Sequence, residues 1–170
     1  SRSTPRSRPT KVEFGGLGVT KIYLPAGDGE VSSDSGVFSC AVTTDNVLHC
    51  WGSNRFGQLG VGDTEARTTP TPVQGLSNDV ARASNGGGHT CAQTANGQLW
   101  CWGKNLGGQL GLGTTTQELA PRQVDVAGLT VERLATGANF TCARGADGSL
   151  WCWGENGVGQ LGLGDLSARN

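Results

Sequence analysis

The sequence predicts an all-β fold of small antiparallel sheets stacked side by side, and three observations predict it. One string of fixed form occurs three times along the chain. Glycine accounts for 29 of the 170 residues, against roughly 7% in an average chain, which leaves no room for long helices. The apolar residues of each copy alternate along short segments with the period of two that marks a strand. Apolar residues at 35% and five tryptophans supply the material for a packed core and place the chain outside the disordered class. No run approaches the roughly 18 apolar residues of a membrane-spanning helix, and no membrane partner is expected. The chain contains no methionine and does not open on a signal sequence, so a processed product or an excerpt is expected.

The repeated string is Cys-Ala, eight residues, then Cys-Trp-Gly-x-Asn-x-x-Gly-Gln-Leu-Gly-x-Gly, starting at Cys40, Cys91 and Cys142. The spacing is 51 residues both times, and a period of that size marks a repeat architecture. Residues 80–119 match residues 131–170 at 20 of 40 positions without a gap.

Residues 1–18, rich in Ser, Arg and Pro at their start, are expected to form a disordered tail or linker. The first copy, 19–79, opens at Val19 because Val19-Thr-Lys-Ile-Tyr-Leu-Pro-Ala-Gly27 resembles Val131-Glu-Arg-Leu-Ala-Thr-Gly137. From that glycine to the first cysteine is 13 residues in copy one and 5 in copy three, which puts an eight-residue insertion within Asp28 to Gly36. The second copy spans 80–130. The third, 131–170, is incomplete by about eleven residues relative to the period of 51.

Each copy contains a β-hairpin. In copy three, strands Phe140 to Gly145 and Ser149 to Trp153 flank Ala146-Asp147-Gly148, the chemistry of a type I turn followed by a left-handed glycine. Copy two has Ala95-Asn96-Gly97, and copy one Thr44-Asp45-Asn46, with Asn as the next best residue at positive φ. A three-residue loop pairs Gly145 with Ser149, and counting back pairs Cys142 with Cys152. If the turn-closing pair is hydrogen-bonded, the cysteines fall at a non-hydrogen-bonded pair, where a cross-strand disulfide is admissible. The same count pairs Cys40 with Cys50 and Cys91 with Cys101. Closing an eleven-residue loop stabilises by roughly 2–3 kcal/mol in the chain-entropy model.

Zinc competes for these cysteines, but nine intervening residues in a hairpin leave only two ligands per site, and His49 and His89 occupy different positions in their repeats. Neither a metal nor a cofactor is expected. Paired cysteines with no odd one left over point to an oxidising compartment, extracellular or periplasmic. The Asp28–Gly36 insertion lacks the alternating ligands of a calcium loop and reads as a solvated insertion.

Alternation puts Leu99 and Cys101 on one face of the hairpin and Trp100, Trp102 and Ala92 on the other; copy three repeats this with Leu150, Cys152, Trp151 and Trp153. A hairpin apolar on both faces must lie between layers, as blades stacked around an axis do. The Gly-Gln-Leu-Gly-x-Gly segments are then backbone corners. They open no helix and carry no Lys-Ser/Thr ending, so they are not phosphate loops.

Arg2, Arg6, Arg8 and Lys11 take four of the 13 basic residues, and the remaining nine stand against all 14 acidic ones. The body of the chain lacks the clustered positive charge of a nucleic-acid binder. A catalytic site is not expected either. The two histidines are placed by the repeat, with His89 expected at a blade edge, and the carboxylates are scattered through turns.

The string Cys-Trp-Gly-x-Asn-x-x-Gly-Gln-Leu-Gly-x-Gly, preceded by His89-Thr90-Cys91-Ala92 or Phe140-Thr141-Cys142-Ala143, resembles the regulator-of-chromosome-condensation repeat over residues 19–170. It is similar in particular to the cysteine-bearing variety of apparently exported bacterial proteins. The resemblance implies a β-propeller, here a partial one of about three blades from a seven-bladed ring, within a longer exported protein. Members include a guanine-nucleotide exchange factor for a nuclear GTPase, a plant ultraviolet receptor and a secreted inhibitor of β-lactamases. Their common property is a rigid ring that presents loops to a partner.

A protein partner is therefore expected, besides further blades in cis or self-association. Exchange activity toward a small GTPase, or a hydrolase domain, is the alternative. Inside the repeated frame one loop varies most, and it nominates Arg55 and Phe56 in copy one, Lys104 and Leu106 in copy two, and Glu155 and Val158 in copy three as partner-binding residues. Drift at unconstrained surface positions is the competing explanation for each of them.

Overall fold

The computed structural model of the protein describes residues 9–25, 36–126 and 128–170. Each copy folds as one antiparallel sheet. Blade 1 orders β1 (Val19–Tyr23), β2 (Phe38–Thr43), β3 (Leu48–Gly52) and β4 (Arg67–Pro72) side by side. Blade 2 does the same with β5 (Val80–Asn85), β6 (His89–Thr94), β7 (Leu99–Gly103) and β8 (Glu118–Val124). Blade 3 comprises β9 (Val131–Thr136), β10 (Phe140–Gly145) and β11 (Leu150–Gly154), three strands among the described residues. The expected insertion falls on residues 28–36, of which only Gly36 is described, and the basic start of the tail, residues 1–8, lies outside the described residues.

The turns set the register. Gly145 N–H donates to the Ser149 carbonyl (2.9 Å) and Gly148 N–H to that of Gly145 (3.0 Å). The third loop residue has positive φ in every copy, at Asn46 (62°), Gly97 (82°) and Gly148 (85°), a conformation only Gly and Asn adopt cheaply. Counting back along the strands brings Cys40 opposite Cys50, Cys91 opposite Cys101 and Cys142 opposite Cys152. Their Cα atoms are 4.1 Å apart and each pair is bridged, the close approach of a non-hydrogen-bonded pair.

Two fourth strands, β4 and β8, have no clear signature in the sequence. Arg67–Pro72 and Glu118–Val124 carry polar residues and prolines, and they form because each lies at a sheet edge, where a residue lacking an N–H is tolerated.

The sheets stack through unlike faces. The cysteine face of blade 1, with Phe38, Val42 and Leu48, forms one core with Val80, Ala83, Ala92 and Trp102 of blade 2. One repeat later Cys91, Leu99 and Cys101 meet Val131, Ala143 and Trp153. A bifurcated polar clasp locks each seam. The Gln58 carbonyl accepts from the Trp102 indole N–H (2.9 Å) and the Thr90 hydroxyl (2.8 Å); the Gln109 carbonyl accepts from Trp153 (3.0 Å) and Thr141 (2.8 Å).

Gly60 explains one of the invariant glycines. A Cβ there would lie 2.6 Å from the Trp102 indole nitrogen, and φ is +68°, so the tryptophan of the next blade rests directly on bare backbone. The first strands of successive blades also touch. Ser84 and Thr136 hydroxyls lie 2.9 Å apart, and Asn85 Nδ2 donates to the Tyr23 carbonyl at 3.2 Å.

His89, expected at a blade edge, is instead wholly buried in the seam between blades 2 and 3. Thr141 spends its single hydroxyl hydrogen on the Gln109 carbonyl, so toward His89 Nε2, 2.9 Å away, it can only accept. The imidazole therefore carries a proton on Nε2, and burial, which lowers its pKa to about 3, keeps the ring neutral.

Candidate functional site

Along one rim of the stack the three variable loops stand side by side, each held by the same two side chains. Asn105 is fully buried. Its Nδ2 donates to the Thr114 and Thr116 carbonyls (both 2.9 Å), and its Oδ1 accepts from Leu110 N–H (3.0 Å). Asn54 and Asn156 make the corresponding bonds in their blades. The glutamine four residues on turns its side-chain oxygen back to the loop: Gln58 accepts from Phe56 N–H (2.9 Å), Gln109 from Gly107 (2.9 Å) and Gln160 from Val158 (3.1 Å). Each backbone bond fixes the loop without using the side chains that vary.

The nominated residues lie on these braced loops, and the seams bring some of them together. Phe56 of blade 1 sits between two cations, with Arg55 Cζ 5.7 Å and Lys104 Nζ of blade 2 5.4 Å from the ring centroid. Contacts of this kind contribute about 0.5–1 kcal/mol each at an exposed site. At the next seam the Glu155 stem lies against Gly107, where an added Cβ would come within 2.6 Å of its Cγ, and its carboxylate accepts from Asn139 Nδ2 at 3.2 Å. Leu106 and Val158 project into solvent, 72% and 88% exposed. The rim thus runs from a basic aromatic knob, through an apolar tip and an acidic group, to a second apolar tip.

The sequence places Gln58, Gln109 and Gln160 in backbone corners and gives Asn54, Asn105 and Asn156 no role beyond their place in the repeated string. The signal that marks them as loop anchors was present, since they are identical in all three copies while their neighbours change. His49 lies elsewhere, edge-on to the Phe14 ring at 5.8 Å. Among the described residues no three His, Cys, Asp or Glu side chains gather into a group that could hold a metal ion.

Stacked antiparallel sheets of four, four and three strands, pinned within each hairpin and clasped blade to blade, define part of a β-propeller. The family model of the regulator of chromosome condensation repeat matches residues 45–93 and 96–144, and a second model of the same description matches residues 131–160. The chain belongs to the regulator of chromosome condensation (RCC1) repeat family. It is 37% identical to the ultraviolet-B receptor UVR8 of Arabidopsis thaliana over 124 residues, which is 72% of this chain and 28% of the receptor. It is 38% identical to human protein RCC2 over 134 residues, 78% of this chain and 26% of RCC2. The X-linked retinitis pigmentosa GTPase regulator of Mus musculus is 40% identical over 129 residues, 74% of this chain and 13% of the regulator. The chain therefore spans about a quarter or less of these relatives.

Among solved structures, human WBSCR16 superposes with a TM-score of 0.77 at 26% identity, over 96% of this chain and 41% of that one. Yeast Prp20p, described with its binding to Gsp1p and histones, gives 0.72 at 23% identity, over 78% of this chain and 34% of its own.

Non-reducing peptide mapping of the protein is expected to recover three peptides, each bridged within its own hairpin. Bridges between blades, or free thiols after oxidative production, would contradict the arrangement.

Proposed function

We propose that this chain is a non-enzymatic propeller scaffold that binds a protein through the rim built from Arg55, Phe56, Lys104, Leu106, Glu155 and Val158. The observation that supports this most is the division of labour in each loop. Buried asparagine and glutamine side chains hold the backbone rigid, while the residues between them differ in charge and size from blade to blade. Preorganised loops carrying an aromatic and an arginine at their centre have the composition of interface hot spots. The partner would bring carboxylates to Arg55 and Lys104 and apolar surface to Leu106 and Val158. The paired cysteines favour an oxidising, extracellular or periplasmic setting, and the chain acts as one part of a larger exported protein.

The test compares capture by the immobilised wild type and by a variant with Arg55→Ser, Phe56→Ala and Leu106→Ser. Partner retained by the wild type should fall at least tenfold in the variant, while stability falls by no more than about 2 kcal/mol, the sum of the two cation–π contacts on Phe56, and the fold is kept. Equal capture by both, or a turnover activity lost on replacing His49 or His89 without unfolding, would overturn the proposal.

A further inference from the structure

The dipeptide Asn-Gly occurs three times in the chain, at Asn85-Gly86, Asn96-Gly97 and Asn156-Gly157. In this pairing the backbone nitrogen after the asparagine is unshielded by any side chain on its own residue, so it can reach the asparagine carboxamide carbon. The fold treats the three pairs differently. Asn85 and Asn156 are 2% and 1% exposed, and each spends its side-chain N–H groups on backbone. Asn85 Nδ2 donates to the Tyr23 carbonyl (3.2 Å). Asn156 Nδ2 donates to the Asp165 and Ser167 carbonyls (2.9 and 3.1 Å), and its Oδ1 accepts from Leu161 N–H (3.0 Å). Turning either carboxamide onto its own backbone would leave those partners unpaired inside the protein. Asn96 is exposed, at the tip of the hairpin that joins β6 to β7 in blade 2.

The bonds around Asn96 hold its carboxamide by one end. Its Oδ1 accepts from the Thr94 hydroxyl (2.5 Å) and faces Gln98 N–H at 3.4 Å. The turn of blade 1 confirms which end is oxygen, because Asp45 Oδ1, which cannot be a nitrogen, takes the same two bonds from the Thr43 hydroxyl (2.5 Å) and Val47 N–H (3.4 Å). Two donors on a carbonyl oxygen stabilise the negative charge that develops there when its carbon is attacked. Among the described residues the hydrogen bonds of this side chain fall on Oδ1, and the –NH2 that would leave is not held by the core. The attacking nitrogen is restrained by one bond, from Gly97 N–H to the Thr94 carbonyl (3.0 Å), at a hairpin tip, where local opening costs least.

We propose that Asn96 is a site of spontaneous covalent modification of the folded protein, converted to aspartate and isoaspartate by its own backbone. When the bond to Thr94 opens, the Gly97 nitrogen gives its proton to water and bonds to Asn96 Cγ. The Cγ–Nδ2 bond breaks, the amine takes up a proton and leaves as ammonia, and a cyclic imide joins the two residues. Water then adds to one of the two imide carbonyls and breaks its bond to nitrogen. Opening at Cγ leaves aspartate; opening at the main-chain carbonyl leaves isoaspartate, in which the chain runs through the former side chain.

The two products have opposite consequences. Aspartate recreates the turns of the other blades, which carry Asp45 and Asp147 at this position, and is silent. Isoaspartate adds a methylene to the backbone of a turn that has no room for it. The Gly97 carbonyl accepts from Val131 N–H (3.1 Å) at the start of β9, and a Cβ on Gly97 would come within 2.5 Å of Thr130 Cγ2. The lengthened turn therefore loses its hold on blade 3, while the Cys91–Cys101 bridge keeps the hairpin itself closed. None of the rim side chains takes part, so this proposal and the loop proposal fail separately.

The test is to keep the folded, bridged protein for weeks in mildly alkaline buffer, then reduce it, digest it with trypsin and locate the deamidated residues by fragment masses. The peptide from Ala83 to Lys104 contains both Asn85 and Asn96, and that from Gly145 to Arg169 contains Asn156, so exposed and buried pairs are compared in one sample. Asn96 should convert at least tenfold faster than Asn85 and Asn156 in the folded protein, and all three should convert at similar rates in the reduced, denatured chain, where the protection is gone. Asn96→Asp should remove the early mass change and leave thermal unfolding unaltered, and the isoaspartate form, separated by chromatography, should unfold earlier. Conversion at Asn96 no faster than at the buried pairs, or the same preference in the denatured chain, would overturn the proposal; an isoaspartate form that unfolds like the wild type would overturn its consequence for blade 3.

Discussion

Replacing Trp102 with alanine is expected to remove about 3–5 kcal/mol of stability, the range for truncating a buried tryptophan. Among the described residues it is the largest wholly buried side chain, it belongs to the core of the first seam, and it donates one arm of the clasp on the Gln58 carbonyl. Whole domains retain about 5–15 kcal/mol, so the variant should unfold far earlier in urea. Trp151→Ala is the control, because that side chain is 44% exposed and should lose well under half as much. Trp102→Phe keeps most of the apolar volume and loses the N–H, and should cost about 1–2 kcal/mol. If all three melt alike, the seam is not what holds the blades together.

The second large effect is acid sensitivity at His89. Burial, with a smaller contribution from the Lys104 charge, lowers its pKa from 6.5 to about 3. A proton on Nδ1 would become an unpartnered buried donor, since that nitrogen has no hydrogen-bond partner. Between those two values the unfolded chain binds the proton and the folded one does not. The stability due to the neutral ring is therefore complete above about pH 6.5 and is lost progressively as the pH falls toward 3. The loss is about 1.4 kcal/mol per pH unit, or roughly 2.5 kcal/mol by pH 4.5.

The carboxylates of Asp45, Asp63, Asp147 and Asp165, lowered first by hydrogen bonds from Thr43, Arg67, Ser149 and the Ser167 backbone, act at the acid end of that window and below it. Their contribution is present above the ordinary carboxylate pKa of about 3.9 and is lost as pH falls through the lower folded values. His89→Phe should flatten the profile between pH 6.5 and 4.5. The slot accepts the ring, because Phe140 stands over Gly137 as His89 stands over Gly86. Denaturant midpoints across this range for both proteins decide it; an unaltered slope in the variant would assign the effect elsewhere.

What the sequence made legible is what the repeat encodes locally. Turn residues at a fixed offset set the hairpin register, and with it the position of the cysteines. Alternation of Leu99, Trp100, Cys101 and Trp102 showed two apolar faces and hence stacking. The fourth strands were not legible, because an edge strand such as Arg67-Thr-Thr-Pro-Thr-Pro72 takes its form from the sheet beside it rather than from its own pattern. His89 was misplaced because its burial depends on Thr141, 52 residues away. In the loops, variation between copies nominated the side chains, but the anchors beneath them act through backbone bonds that no pattern of hydrophobicity reveals.

Every disulfide in the molecule closes within one hairpin, ten residues apart in sequence, and no disulfide joins one blade to the next. A gene encoding such an array can gain or lose a 51-residue unit by unequal recombination without ever leaving an odd thiol. The cysteines come and go in matched pairs, and each new unit brings its own oxidative folding instructions. An isomerase would have few wrong pairings to correct, because the partner thiol is always the nearest one along the chain. Lineages that carry this arrangement should therefore tolerate changes in blade number that a protein stapled between blades could not survive.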